Sequence, residues 1–167
     1  MGVRTYIYDK FMQMADGAAA MVASGFTQVS AATKILDLGG AASRTDLGIV
    51  GGNARLDAAI VLDISAIATV TDGLYRIHVL GSNVSSMANP VSLASLVLGL
   101  GSLIPNGTAG SEVTAAGSTT LPGRREILFC NEQNDIIFEY IALYVEALGT
   151  TSKSVQFTAF CSVLPEI

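Results

Sequence analysis

The chain has a single histidine, His78, so any histidine-activated nucleophile or multi-histidine metal site would have to be assembled around it. It lies in Leu74-Tyr75-Arg76-Ile77-His78-Val79-Leu80, where Arg76 and His78 alternate with Tyr75, Ile77 and Val79. That is the period of a strand with one apolar face, and a lone histidine on the polar face is more often a surface residue than a general base. Carboxylate pairs are the other source of chemistry, since Asp57 with Asp63, or Glu139 with Glu146, could meet for acid–base work. Nothing in their spacing selects a pair, and solvated strand faces account for them. A hydrolase reading would stand or fall on substitutions at Asp63 and Glu139.

Other candidate motifs fall short of their chemistry. Cys130 and Cys161 sit in apolar runs at a spacing that fits no zinc or redox motif, and read as buried thiols. Gly39-Gly40 and Gly51-Gly52 flank Arg44 and Asp46, but neither the dinucleotide fingerprint nor a Gly-Lys-Ser phosphate loop is present. Asn131-Glu132-Gln133-Asn134-Asp135 is rich in oxygen ligands yet lacks the spaced acids of a calcium loop, and reads as a polar turn. Tyr75, Tyr140, Tyr144, Phe129, Phe138, Phe157 and Phe160 could form a sugar platform, but at strand period they are read as core and subunit-contact residues. No enzymatic activity, cofactor or metal is expected.

The elements that carry these residues are strands. Leu56, Ala58, Ile60, Leu62 and Ile64 alternate with Asp57, Ala59, Val61, Asp63 and Ser65. Asp72-Gly73 then leads into Leu74–Leu80, which predicts a hairpin. Further strands are predicted at Tyr6–Met12, Thr33–Leu38, Val91–Leu100, Glu126–Asn131, Ile136–Ala147 and Ser154–Val163, the last two as a long hairpin. Pro105 to Pro122, rich in Gly, Ser, Thr and Ala, predicts an exposed loop. Asp16 to Ala32 is Ala-rich, low in charge and interrupted by Gly17 and Gly25, a poor helix and a plausible extended arm. The expected fold is all-β: a jelly-roll-like antiparallel sandwich of about eight strands, with a strand and arm in residues 1–32 and the sandwich in 33–167.

Composition narrows the partners. Half of the 167 residues are hydrophobic, 14% are charged and mean hydropathy is +0.52, so partner subunits are expected to cover some apolar surface. The net charge of −5 with no basic cluster beyond Arg124-Arg125 argues against nucleic acid. Val91 to Ile104 is too short and too interrupted for a membrane span. The first residues lack the apolar core of a signal peptide, and Tyr6 stands where a myristoylation motif needs Ser or Thr, so synthesis in a cytoplasm is expected.

Three stretches resemble one family. Met14-Ala15-Asp16-Gly17-Ala18-Ala19 with Ser30-Ala31-Ala32-Thr33-Lys34-Ile35-Leu36-Asp37-Leu38-Gly39, then Asp72 to Ser82, then Arg125 to Asn131 with Ile137 to Val145, look like the jelly-roll capsid cement (decoration) proteins of tailed bacteriophages. The resemblance implies a homotrimer on the capsid exterior, bound at junctions between major capsid subunits and assembled in the host bacterial cytoplasm. It implies an arm, with Asp16, Ala18, Met21, Val22, Phe26 and Val29 as candidate contacts to capsid or neighbour, and a trimer contact at Phe160 and Tyr144. The competing expectation is a trimeric virion-surface module binding a sugar or receptor through loops such as Pro105 to Pro122.

Overall fold

The computed structural model describes residues 10–38, 55–68, 74–100, 112–114, 123–148 and 153–163. A 3-10 turn at Lys10–Met12 precedes β1 (Gln13–Asp16), β2 (Gly25–Phe26), β3 (Gln28–Val29), β4 (Ala32–Thr33) and β5 (Ile35–Asp37). Three long strands follow: β6 (Asp57–Ala68), β7 (Leu74–Ser82) and β8 (Val91–Leu100). The rest are β9 (Glu112–Thr114), β10 (Gly123–Cys130), β11 (Glu132–Gln133), β12 (Ile136–Ile137), β13 (Tyr140–Leu148) and β14 (Ser154–Val163).

Two sheets carry the fold. One has the order β1-β14-β6-β10; in the other β13 joins β2 and β5 on one side to β7, β8 and β9 on the other. The long pairings are antiparallel, and only β8–β9 is parallel among the described strands. The chain crosses between sheets from β6 to β7, from β9 to β10, from β10 to β13 and from β13 to β14. This all-β sandwich of antiparallel sheets is the fold class expected, but the local pairings differ. β6 does not pair with β7, nor β13 with β14: each is hydrogen-bonded to a strand distant in sequence. Strand-bounded turn residues indicate that the chain reverses, not whether it returns to the same sheet.

The alternation in β6 explains the core. Ala58, Ile60, Leu62 and Ile64 point between the sheets. A bulge opposite Gln156/Phe157 leaves Ser65 and Ala66 both exposed, and so returns Ile67 to the core. Tyr75, Ile77 and Val79 of β7 face them from the other sheet, as do Ile141, Leu143 and Val145 of β13, while Val155, Phe157, Ala159 and Cys161 of the neighbouring β14 extend the same inner face. The apolar run at Val91 is a strand, with Leu98 fully buried. Cys161 is buried, which pushes its thiol up to about 12, while Cys130 is half-buried.

Gly81 marks where β7 and the approach to β13 pack most closely. A Cβ there would lie 2.9 Å from both Leu93 Cδ1 and Phe138 Cγ. Gly81→Ala is expected to destabilise by about 1–3 kcal/mol through overpacking, read as a lower urea midpoint at unchanged m-value.

Several expectations are corrected. Within Tyr6–Met12, residues 10–12 are a 3-10 turn and the strand begins at Gln13; residues 6–9 lie outside the described residues. Thr33–Leu38 is split at Lys34, and Ile136–Ala147 is split at Phe138-Glu139 into β12 and β13. Asn134 and Asp135 take left-handed φ values of 52° and 63°, forming the tight β11–β12 turn. Glu112–Thr114 pairs with β8, so part of the predicted loop is strand. The rest of that loop, the Gly39-Gly40 and Gly51-Gly52 turns, and Asp72-Gly73 lie outside the described residues.

Candidate functional site

The two outward faces of the sandwich and its N-terminal segment hold every residue singled out for contact. On the outer face of the larger sheet, the residues of β13 that point away from the core are Tyr140, Ala142, Tyr144 and Glu146. Leu80, Met87 and Ala142 form a second, smaller apolar cluster there, with Phe26, Ile35, Tyr140 and Tyr144 packed against it. Met87 reaches this face from the β7–β8 loop at φ 57°, its amide bonded to the Val84 carbonyl at 2.8 Å. Phe26 meets the Tyr144 ring edge-to-face, centroids 5.2 Å apart and planes at 78°, which fixes the Tyr144 side chain.

Register then places a polar row beside the aromatic one. Tyr144 lies opposite His78, and His78 opposite Ser95; Glu146 lies opposite Arg76. Arg76 Nη1 donates to Glu146 Oε2 at 2.9 Å, and His78 Nε2 is 3.5 Å from the same oxygen. His78 Nδ1 and Ser92 Oγ are 3.0 Å apart. With the ring proton on Nε2, His78 faces the carboxylate and accepts from the serine hydroxyl. The serine–histidine–glutamate order resembles a nucleophile relay, but Arg76 already holds the carboxylate and the group lies on a sheet face. The geometry suits binding better than acyl transfer.

The N-terminal segment is not a free arm in this chain. β1 pairs with β14, Met21 exchanges backbone bonds with Val155 at 2.8 and 3.1 Å, and β2 and β5 both pair with β13. Between β2 and β5 the β3–β4 hairpin leaves the edge of the larger sheet and packs on β1 of the smaller one. Thr27, 1% exposed, donates to the Met14 carbonyl at 2.8 Å, and its amide donates to Leu143 at 3.0 Å. The segment is a clasp across one open side of the sandwich. Of the arm candidates, Asp16, Met21, Phe26 and Val29 are half-buried in this clasp, while Ala18 and Val22 are exposed, Val22 by 62%. A recess of about 400 Å³ lies under it, lined by Ala18 to Ala23 and floored by Phe157.

Asp16 is the fastening of the clasp. Its carboxylate accepts from the Ala18 amide at 3.0 Å and the Ser30 amide at 2.7 Å, which hold its pKa below the ordinary carboxylate value. Gly17 follows at φ 68°, where a Cβ would come within 3.0 Å of Thr158. A carboxyl whose folded pKa is depressed stabilises above its unfolded pKa, about 3.9, and loses that contribution as pH falls through the lower folded value. Amide exchange at Ala18 and Ser30 is therefore expected to accelerate as pH drops below about 4 relative to the β13 core amides. Asp16→Asn should remove that pH dependence.

Phe160 and Tyr144, expected at one contact, are not brought together. Tyr144 is on the outer face of the larger sheet, and Phe160, paired with Gln13 and Val61, is on the outer face of the smaller one. Phe160 is half-buried there, and Leu128 is 50% exposed on the neighbouring strand pair. Asp63 and Arg124 close this face with two 2.9 Å bonds, which lower the Asp63 pKa. Sequence reading weighed Glu146 only as a partner of Glu139, noted Arg76 only as a polar-face residue and passed over Ser92. Their polar-face positions were legible, but the register that aligns three separate strands was not. No family model and no curated protein sequence matches the chain.

Proposed function

We propose that the protein is a structural virion component, a cement or decoration protein that binds the outside of a tailed-phage capsid at junctions between major capsid subunits. The observation that carries this reading is the winding of the sandwich, β1-β14-β6-β10 against β5-β13-β7-β8 with its edge clasped by the N-terminal segment. The resemblance implies a jelly roll, and a two-sheet antiparallel sandwich supports that reading. Long strands hydrogen-bonded on both sides resist shear, which suits a part that carries load between shell subunits. Attachment is assigned to the exposed outer rim of the clasp, at Ala18 and Val22, and self-association as a homotrimer to the face of Phe160 and Leu128. Many weak contacts repeated over a shell gain strength by avidity.

Co-sedimentation with expanded capsids that lack the protein tests this, with molar mass measured by light scattering on the same sample. A species of three chains that pellets only with capsids is expected. A monomer that stays in the supernatant sinks both assignments. Val22→Ser should weaken pelleting without changing the urea midpoint, because an exposed apolar side chain contributes to a partner and not to the core.

A further inference from the structure

We infer that the outer face of the larger sheet is a binding site for a neutral carbohydrate, seated on Tyr144 and Tyr140 and hydrogen-bonded by Arg76, Glu146, His78 and Ser92. This stands apart from capsid attachment, which is assigned to other surfaces. Three observations converge. Tyr140 and Tyr144 point the same way from β13, four residues and about 13 Å apart at the usual strand rise, a spacing suited to a short oligosaccharide. Phe26 packs edge-to-face on Tyr144, so the ring is fixed before a ligand arrives. Beside them, β7, β8 and β13 together present donors and an acceptor already oriented by the bonds Arg76–Glu146 and His78–Ser92.

The polar row decides the class of occupant. An apolar protein surface closing over this face would bury Arg76, Glu146 and His78 away from water with nothing new to bond. A pyranose satisfies both rows at once: its C–H face lies on an aromatic ring, and its hydroxyls donate to Glu146 and to the Ser92 oxygen and accept from Arg76. Arg76 and Glu146 cancel in charge, so the site suits a neutral sugar and not an acidic one.

Saturation-transfer NMR on the full chain with maltohexaose, cellohexaose and chitohexaose tests the site. At least one should show enhancement at its ring C–H protons, with a dissociation constant of about 1 mM or tighter. Tyr144→Ala and, because that change also loosens Phe26, Arg76→Met should each weaken it by about tenfold. Phe160→Ala on the opposite face should leave it unchanged. Absence of enhancement with all three sugars, or enhancement that survives both Tyr144→Ala and Arg76→Met in folded protein, overturns the inference.

Discussion

A chain lacking residues 1–29 is expected to lose its cooperative fold, not just its hold on a neighbour. The deletion removes β1, β2 and β3 together with Met14 and Ala15, which are 0% and 5% exposed in the core. Full burial of one side chain such as Met14 is worth about 1.5–3 kcal/mol. The deletion also strips the β14 edge of its partner, the Met21 bonds from Val155, and the Thr27 tie between the sheets. Against a total stability of about 5–15 kcal/mol for a domain, these losses are expected to give aggregation on expression or a non-cooperative urea transition. A cooperative transition within about 1 kcal/mol of the full chain would show that the clasp is dispensable. Capsid binding is better dissected by Val22→Ser, which leaves the clasp in place.

Asn131→Ala is the second large effect, expected to cost about 2–5 kcal/mol. Asn131 is 1% exposed where the chain leaves β10 for the small β11–β12 hairpin. Its side-chain oxygen accepts from the Leu56 amide at 2.6 Å, and its Nδ2 donates to the Phe138 carbonyl at 3.1 Å. Its own backbone reciprocates, donating to Leu56 at 3.1 Å and accepting from Phe138 at 2.8 Å. One side chain thus fastens the entry of β6 to the entry of β13, strands of different sheets. Truncation leaves buried backbone groups without partners, and a cavity that water reaches poorly. Chemical denaturation should give a markedly lower midpoint. A shift under 1 kcal/mol would mean that a water replaces both bonds.

The core strands were legible because alternation is a local signal. In Leu56 to Ser65 and Tyr75 to Val79 apolar residues recur at every second position, so the inward face follows from the order alone, although Ala59 and Val61 leave the outward face of the first run mixed. Pairing was not legible, because β6 pairs with β10 and β14, and nothing in Asp57 to Ala68 encodes those partners. The segment from Asp16 to Ala32 misled for a related reason. Its mostly small, uncharged residues look like a free arm, yet Met21 and Thr27 bond to the body through backbone groups, which every residue carries, and Ser24 through its hydroxyl. Likewise His78 could be read as a polar-face residue, whereas its contacts with Ser92 on β8 and Glu146 on β13 exist only once three strands are in register.

The pairing of β1 with β14 also sets an order in time. Gln13 lies beside Phe160, so the first described strand waits for the last before it has a neighbour. β14 is an inner strand of its sheet, and β6 cannot be covered on that side until it arrives. A ribosome-bound chain can close β7 against β8 early, but the smaller sheet completes only once β14 has emerged. Closure of the smaller sheet therefore waits on β14. Such long-range closure places refolding in the millisecond-to-second range typical of sandwiches, and any partner that needs the finished clasp can engage only after β14 has docked.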